Sequence, residues 1–210
     1  MREKIPSPLG GEGKGEGERQ GHWEKLMGYE AAISKAWAEL ANLTQKKSHT
    51  VRFLDDEYSI DLEKKSILSL SSNVPPKTHI SILLLHYLSR RLKGLPQPKG
   101  EWISFKQLEG GQVYYSVFRK RVLEPIIKKY GENPEGLISV LTKRFKAKEV
   151  KQADASVVLD VFDGIPILIT MWRGDEEFGP EANLLFDRSI AEIFCTEDAV
   201  ITAEIVASLI

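Results

Sequence analysis

Apolar residues first recur with a helical period between Met27 and about Lys46, where Tyr29, Ile33, Ala36, Trp37, Leu40 and Leu43 stand three or four apart. The period then shortens to two. Val51 and Phe53 alternate with polar neighbours, as do Tyr58, Ile60 and Leu62 after the acidic turn Asp55-Asp56-Glu57, and a third short strand fits Ile67 to Leu70. A proline turn (NVPPKTH) leads into a strongly apolar helix from His79 to Lys93, closed by Gly94. Trp102 to Phe105 reads as a short extended stretch and Leu108 to Gly111 as a turn. The next helix, Tyr114 to Tyr130, is interrupted at Pro125, where either a kink or a new helix begins. Asn133-Pro134 starts another, with Leu137, Ile138, Leu141 and Phe145 as its apolar stripe.

The strongest strand candidates are ASVVLDVF (155–162) and IPILITMW (165–172). Asp163-Gly164 between them is a dipeptide suited to a tight hairpin turn. An acidic loop follows, then a short apolar run from Leu184 to Phe186. Asp187-Arg188-Ser189 and Thr196-Glu197-Asp198 offer caps for two closing helices, the first through Ile193 and the second through Ile210. The pattern predicts an α+β fold, with helices packed on a small antiparallel sheet built from separated hairpins. Residues 1–26 are rich in Gly, Glu, Lys and Pro, and read as a disordered low-complexity tail ahead of a single domain over 27–210. Gly13-Lys14-Gly15 in that tail lacks the hydroxyl residue and preceding strand of a phosphate-binding loop.

Composition removes several classes of function. An apolar fraction of 42% supports a core, yet no apolar run reaches the roughly 18 residues of a membrane span. The first residues carry no apolar signal core, and Cys195 is the only cysteine. Intrachain disulfides and cysteine-held clusters are therefore excluded, and a cytoplasmic protein is the simplest reading. The net charge of −1 conceals an asymmetry. Residues 77–151 hold sixteen Lys and Arg against six Asp and Glu, while 152–210 hold two against twelve. Opposed charges within one domain read first as surfaces that meet in the fold. The basic run from Lys143 to Lys151 has one aromatic, Phe145, which fits the helix stripe, so nucleic acid is an unfavoured partner.

The candidate chemistry lies in WRGDEEFGPEANLLFD (172–187), which gathers Asp175, Glu176, Glu177, Glu181 and Asp187 among aromatics and glycines. It is open to two readings: a solvated loop, or a site for a ligand, a divalent metal or an acid/base carboxylate pair. It does not carry the ligand pattern of an EF-hand. His79 and His86 are seven apart, a poor spacing for joint zinc coordination. His86 reads most simply as a hydrogen-bonded core histidine, although an apolar helix is also where a tetrapyrrole would find an axial ligand. Cys195 has Glu192, Glu197 and Asp198 as its nearest charges, which disfavour a thiolate nucleophile.

The chain resembles the domain-of-unknown-function family 3786 of anaerobic bacteria and archaea. The likeness is carried by RFLDDEYSIDL, ILLLHYL, GEWISFKQLEGGQVYYSVF, GIPILITMWRGDEEFGPEANLLFD and SIAEIFCTED, spread over about residues 27–205. Some relatives are fused to an iron–sulfur domain of the corrinoid/iron–sulfur type. The resemblance thus implies a cytoplasmic ligand-binding protein, accessory to corrinoid or related cofactor one-carbon metabolism in an anaerobe. Any cluster would belong to an iron–sulfur protein partner, since this chain lacks the cysteines. It turns the balance at the loop towards a ligand site lined by Trp172, Asp175, Glu176, Glu177, Phe178 and Glu181, with His86 as a further contact and no resident metal. A corrinoid or other tetrapyrrole is the cofactor to look for. The alternatives are an enzyme using Glu177 with Asp187 or Glu181 as a carboxylate pair, with or without a divalent metal, and a protein-interaction module whose acidic loop meets a basic partner.

Overall fold

The computed structural model describes residues 15–210, with side chains from Gly28 onward. The tail expected over 1–26 falls outside the residues whose side chains are described. Helix α1 (Gly15–Leu43) leads into a three-stranded antiparallel sheet of β1 (Ser48–Phe53), β2 (Asp56–Asp61) and β3 (Ser66–Ser69). Helix α2 (Thr78–Lys93) packs against α1 and β1. It buries Ile82 to Leu85, Tyr87 and Leu88, and keeps Arg90, Arg91 and Lys93 in its last turn, where cations offset the helix dipole. A second, five-stranded antiparallel sheet has the order β4-β8-β7-β6-β5. Its centre is the meander β6 (Ala155–Phe162), β7 (Ile165–Trp172) and β8 (Glu181–Asp187). Short strands β4 (Trp102–Ser104) and β5 (Lys148–Glu149) form its edges. The α+β class holds, with the antiparallel strands divided between two sheets rather than gathered in one.

The helix expected from Tyr114 begins earlier, at Gly111, and the interruption expected at Pro125 takes the form of a π-helical turn just before it. Helix α3 (Gly111–Phe118) runs through a π-helical turn (Arg119–Leu123) into α4 (Glu124–Tyr130). Pro125 falls in the first turn of α4, where a missing N–H costs little, and the wider turn before it absorbs the change of register. Helix α5 (Pro134–Phe145) starts on Asn133, whose side chain accepts from the Gly136 N–H, and covers β6. Short α6 (Ile190–Ile193) and α7 (Thr196–Leu209) close the domain.

The two sheets share one core. Phe162 lies 4.7 Å from Phe53 and 4.3 Å from Tyr87 between ring centroids, and 5.8 Å from Phe194. A β-bulge between Asp160 and Phe162 brings this about, since it lets Val161 and Phe162 both be buried where strict alternation would expose one. The β6–β7 turn is Asp163-Gly164, as its sequence predicts, with Gly164 at φ 81°. A Cβ at Gly164 would meet no atom within 4 Å, so a substitution there strains the backbone alone. We expect Gly164→Val to cost about 1–2 kcal/mol in urea denaturation. Unchanged stability would mean the turn relaxes to a negative φ.

The β1–β2 turn differs from expectation. It is Leu54-Asp55, with Asp56 already in β2 opposite Phe53, rather than Asp55-Asp56-Glu57. The cause is tertiary. Leu54 is buried, its N–H donates to Val161 O at 2.8 Å, and it holds φ at 56°. Docking on β6 overrides the local preference for an acidic turn.

Candidate functional site

The acidic stretch splits into a hairpin loop, Arg173 to Pro180, and strand β8, which begins at Glu181 opposite Trp172. The loop is preformed. Asp175 Oδ1 accepts from the N–H groups of Glu177 (2.8 Å) and Phe178 (2.7 Å), and the Asp175 N–H donates to Phe178 O. The bonds from Phe178 and Glu177 hold this carboxyl below its ordinary range. Arg173 pairs with Glu135 on α5, and its N–H donates to Asp154 Oδ2 at 2.8 Å. Pro180 packs on Gly131, where an added Cβ would stand 2.7 Å from Pro180 Cγ. On this frame Glu176, Glu177 and Glu181 are exposed, Trp172 is 37% exposed and Phe178 70%. Phe178 and the carboxylates thus stand out from the frame into solvent, whereas small-molecule sites enclose most of their ligand.

Asp187 lies at the other end of β8, six residues beyond Glu181 or about 20 Å along a strand. It is therefore not brought to Glu177, and that carboxylate pair does not form. Asp187 is buried at 2% exposure and accepts from the N–H groups of Gly100 (2.7 Å), Lys99 (2.9 Å) and Ser189 (2.9 Å). These bonds tie the lead-in to β4 to the start of α6. Among the described residues no group of three or more His, Cys, Asp and Glu is arranged to hold a metal ion.

His86 faces α7. Its Nδ1 is 2.9 Å from Asp198 Oδ2 and 3.0 Å from Oδ1, and the Asp198 side chain is almost wholly buried. The bond to Asp198 raises the imidazole pKa above its ordinary value, against the pull of burial. Cys195, just before α7, donates its thiol to Asp198 Oδ2 at 3.4 Å. Burial, reinforced by the charge of Asp198, pushes that thiol up to about 11, so it is a protonated donor and no nucleophile at neutral pH.

A concave feature lies elsewhere. A cleft of about 540 Å³ opens between the β1–β2 hairpin and the α5–β5–β6 edge, within the size range of small-ligand sites. Two arginines fix its walls. Arg144 Nε pairs with Asp55 Oδ2 at 2.7 Å while its Nη1 donates to Leu209 O at 3.0 Å. Arg52 pairs with Asp163 at 2.7 Å and donates to the carbonyls of Leu54 (2.9 Å) and Asp160 (3.2 Å). Asp56 is engaged as well, accepting from Ser69 Oγ at 2.6 Å and from the Glu57 N–H. Burial alone would raise its pKa, but the serine bonds outweigh it and hold the carboxyl ionised. Lys146, Lys148, Glu57 and Asp160 also line the cleft, and among the described residues none of them is tied in an ion pair. Sequence reasoning passed over this set. Its signals, the DDE turn and the Lys143–Lys151 run, are 86 or more residues apart and read separately as a turn and a solvated face.

The strained hairpin docked on a larger sheet, with a charged cleft at their junction, defines an α+β domain without a metal cluster among the described residues. No described helix is long and apolar enough to cross a membrane. The chain belongs to the family described as Domain of unknown function (DUF3786), which matches residues 34–208 and so takes in both sheets and every residue of the cleft. No curated protein and no solved structure matches it.

Proposed function

We propose that this protein binds a small polar molecule in the cleft between the β1–β2 hairpin and the α5–β5–β6 edge. Lys146 carries the reading. It ends α5 in the left-handed conformation, at φ 56° and ψ 30°, a position that glycine usually fills. Leu54, on the hairpin side of the same cleft, also holds a positive φ, but its side chain is buried and packing accounts for it. Lys146 is exposed and has no such reason. Strained non-glycine residues of this kind cluster where a side chain is needed for function, and an ammonium group on the lip of a cleft is such a need.

Lys146→Gly is therefore expected to raise stability by up to about 1 kcal/mol while weakening ligand retention. The test is native mass spectrometry of wild type and variant, both purified anaerobically from the native source. A small added mass on wild type that is lost from the variant supports the cleft. An adduct kept by the variant, or a variant less stable than wild type, counts against it.

A second reading rests on His86. A carboxylate on one ring nitrogen is the usual support for a histidine that ligates a metal through the other, and Asp198 holds Nδ1 in this way. On this reading the protein carries a corrinoid or other tetrapyrrole through Nε2 and serves one-carbon metabolism beside an iron–sulfur partner in the cytoplasm of an anaerobe. A visible absorbance band on the same preparation, lost in His86→Ala, would favour it over the cleft.

A further inference from the structure

We infer that the molecule held in the cleft is a small zwitterion, with its anionic group at Lys146 and Lys148 and its cationic group at Glu57 and Asp160. The inference rests on the cleft being the ligand site. The charges that line it fall into two sets. Arg144, Asp55, Arg52 and Asp56 are consumed by bonds within the protein, and they build the walls. Lys146, Lys148, Glu57 and Asp160 are free of ion pairs among the described residues and face the same space.

The four are also segregated. Both lysines come from the α5–β5 connection, and the two carboxylates from β2 and β6. Lys148 stands opposite Val158 in the β5–β6 ladder, and Asp160 is two residues further along the same face. Opposite charges so near one another would ordinarily close into ion pairs, as Arg144 and Asp55 do. Here none of the four closes into an ion pair among the described residues. A dianion would meet Glu57 and Asp160, and a dication would meet the lysines, so each is opposed by one pair of charges. A molecule with both signs satisfies both pairs. Leu54, Phe145 and Val158 supply the limited apolar surface between them, enough for a short carbon chain.

Amide NMR spectra of the full chain test this with γ-aminobutyrate, ε-aminohexanoate and phosphoethanolamine as zwitterion probes. Butyrate, butylammonium and inorganic phosphate are the single-charge controls. We expect at least one zwitterion to shift the signals of Glu57, Lys146, Lys148 and Asp160 saturably, and each control to bind more weakly by about tenfold or more. Lys148→Glu and Asp160→Lys should each abolish the shifts, and combining the two should restore part of the binding, because the charges are then exchanged rather than lost. The carboxylate and phosphate probes distinguish an amino acid from a phosphoamine. Phosphate or butyrate binding as tightly as the zwitterions would overturn the zwitterion and leave the cleft as the site. No shift with any probe would overturn the inference as well. The cleft itself is judged separately, by whether the native-source adduct is lost in Lys146→Gly.

Discussion

Asp187→Ala destabilises the fold by about 3–5 kcal/mol, the scale expected when three backbone donors lose one shared acceptor, at about 1–3 kcal/mol for each that stays unsatisfied. The carboxylate is 2% exposed and accepts from three backbone N–H groups on two chain segments. Alanine would leave the donors of Lys99, Gly100 and Ser189 without an acceptor, and would free the lead-in to β4 from the end of β8. Asparagine restores part of this, since its oxygen can keep the Lys99 and Ser189 bonds while its NH₂ group faces the Gly100 N–H. Burial pushes the Asp187 pKa up, but the bonds from Ser189, Lys99 and Gly100 outweigh it and hold it below the ordinary carboxylate value. A depressed pKa contributes stability that is present above the unfolded value, about 3.9, and is lost as pH falls through the folded one. Urea denaturation from pH 7 to pH 3 should show wild type losing stability below about pH 4, with Asp187→Ala flatter over that range. A variant as stable as wild type at pH 7 would remove Asp187 from this structural role.

His86→Ala costs about 2 kcal/mol at pH 6, less than for a fully buried pair because a third of the imidazole is exposed. The loss leaves the Asp198 carboxylate buried on α7 with the Cys195 thiol as its remaining side-chain donor among the described residues. Here the sign with pH is reversed. The folded pKa of His86 is raised, first by the Asp198 bond and further by the charge of Glu39, against burial and Lys35. The ion pair therefore contributes fully below the ordinary histidine value of about 6.5, and its contribution fades as pH rises through the folded value. The difference between wild type and His86→Ala should thus be larger at pH 6 than at pH 9 in matched urea titrations. Equal differences at the two pH values would show that the imidazole contributes as a neutral hydrogen-bonding group.

Much of the fold is legible in the residues. The β6–β7 hairpin follows from two alternating apolar runs around Asp163-Gly164, and α2 from an apolar run closed at Gly94. The Asn133-Pro134 start of α5 is equally plain, because capping chemistry is local. Local chemistry misleads where packing opposes it, as at Leu54, whose bond to Val161 moves the turn.

The candidate site divides along the same line. The sequence by itself determined that carboxylates and aromatics would cluster after β7, that Cys195 would be no thiolate, and that the middle and end of the chain would carry opposite charge. Each depends on residue identity or on near neighbours. Only the tertiary structure decided that Asp187 ties two segments together instead of joining Glu177, that Asp198 receives His86, and that the hairpin tip meets the end of α5 at a cleft. Those pairings join residues 87 to 112 positions apart. The reason is that distance along a chain does not fix distance in space: such contacts form only when sheets and helices bury their apolar faces together, and the charges then meet wherever that packing leaves them.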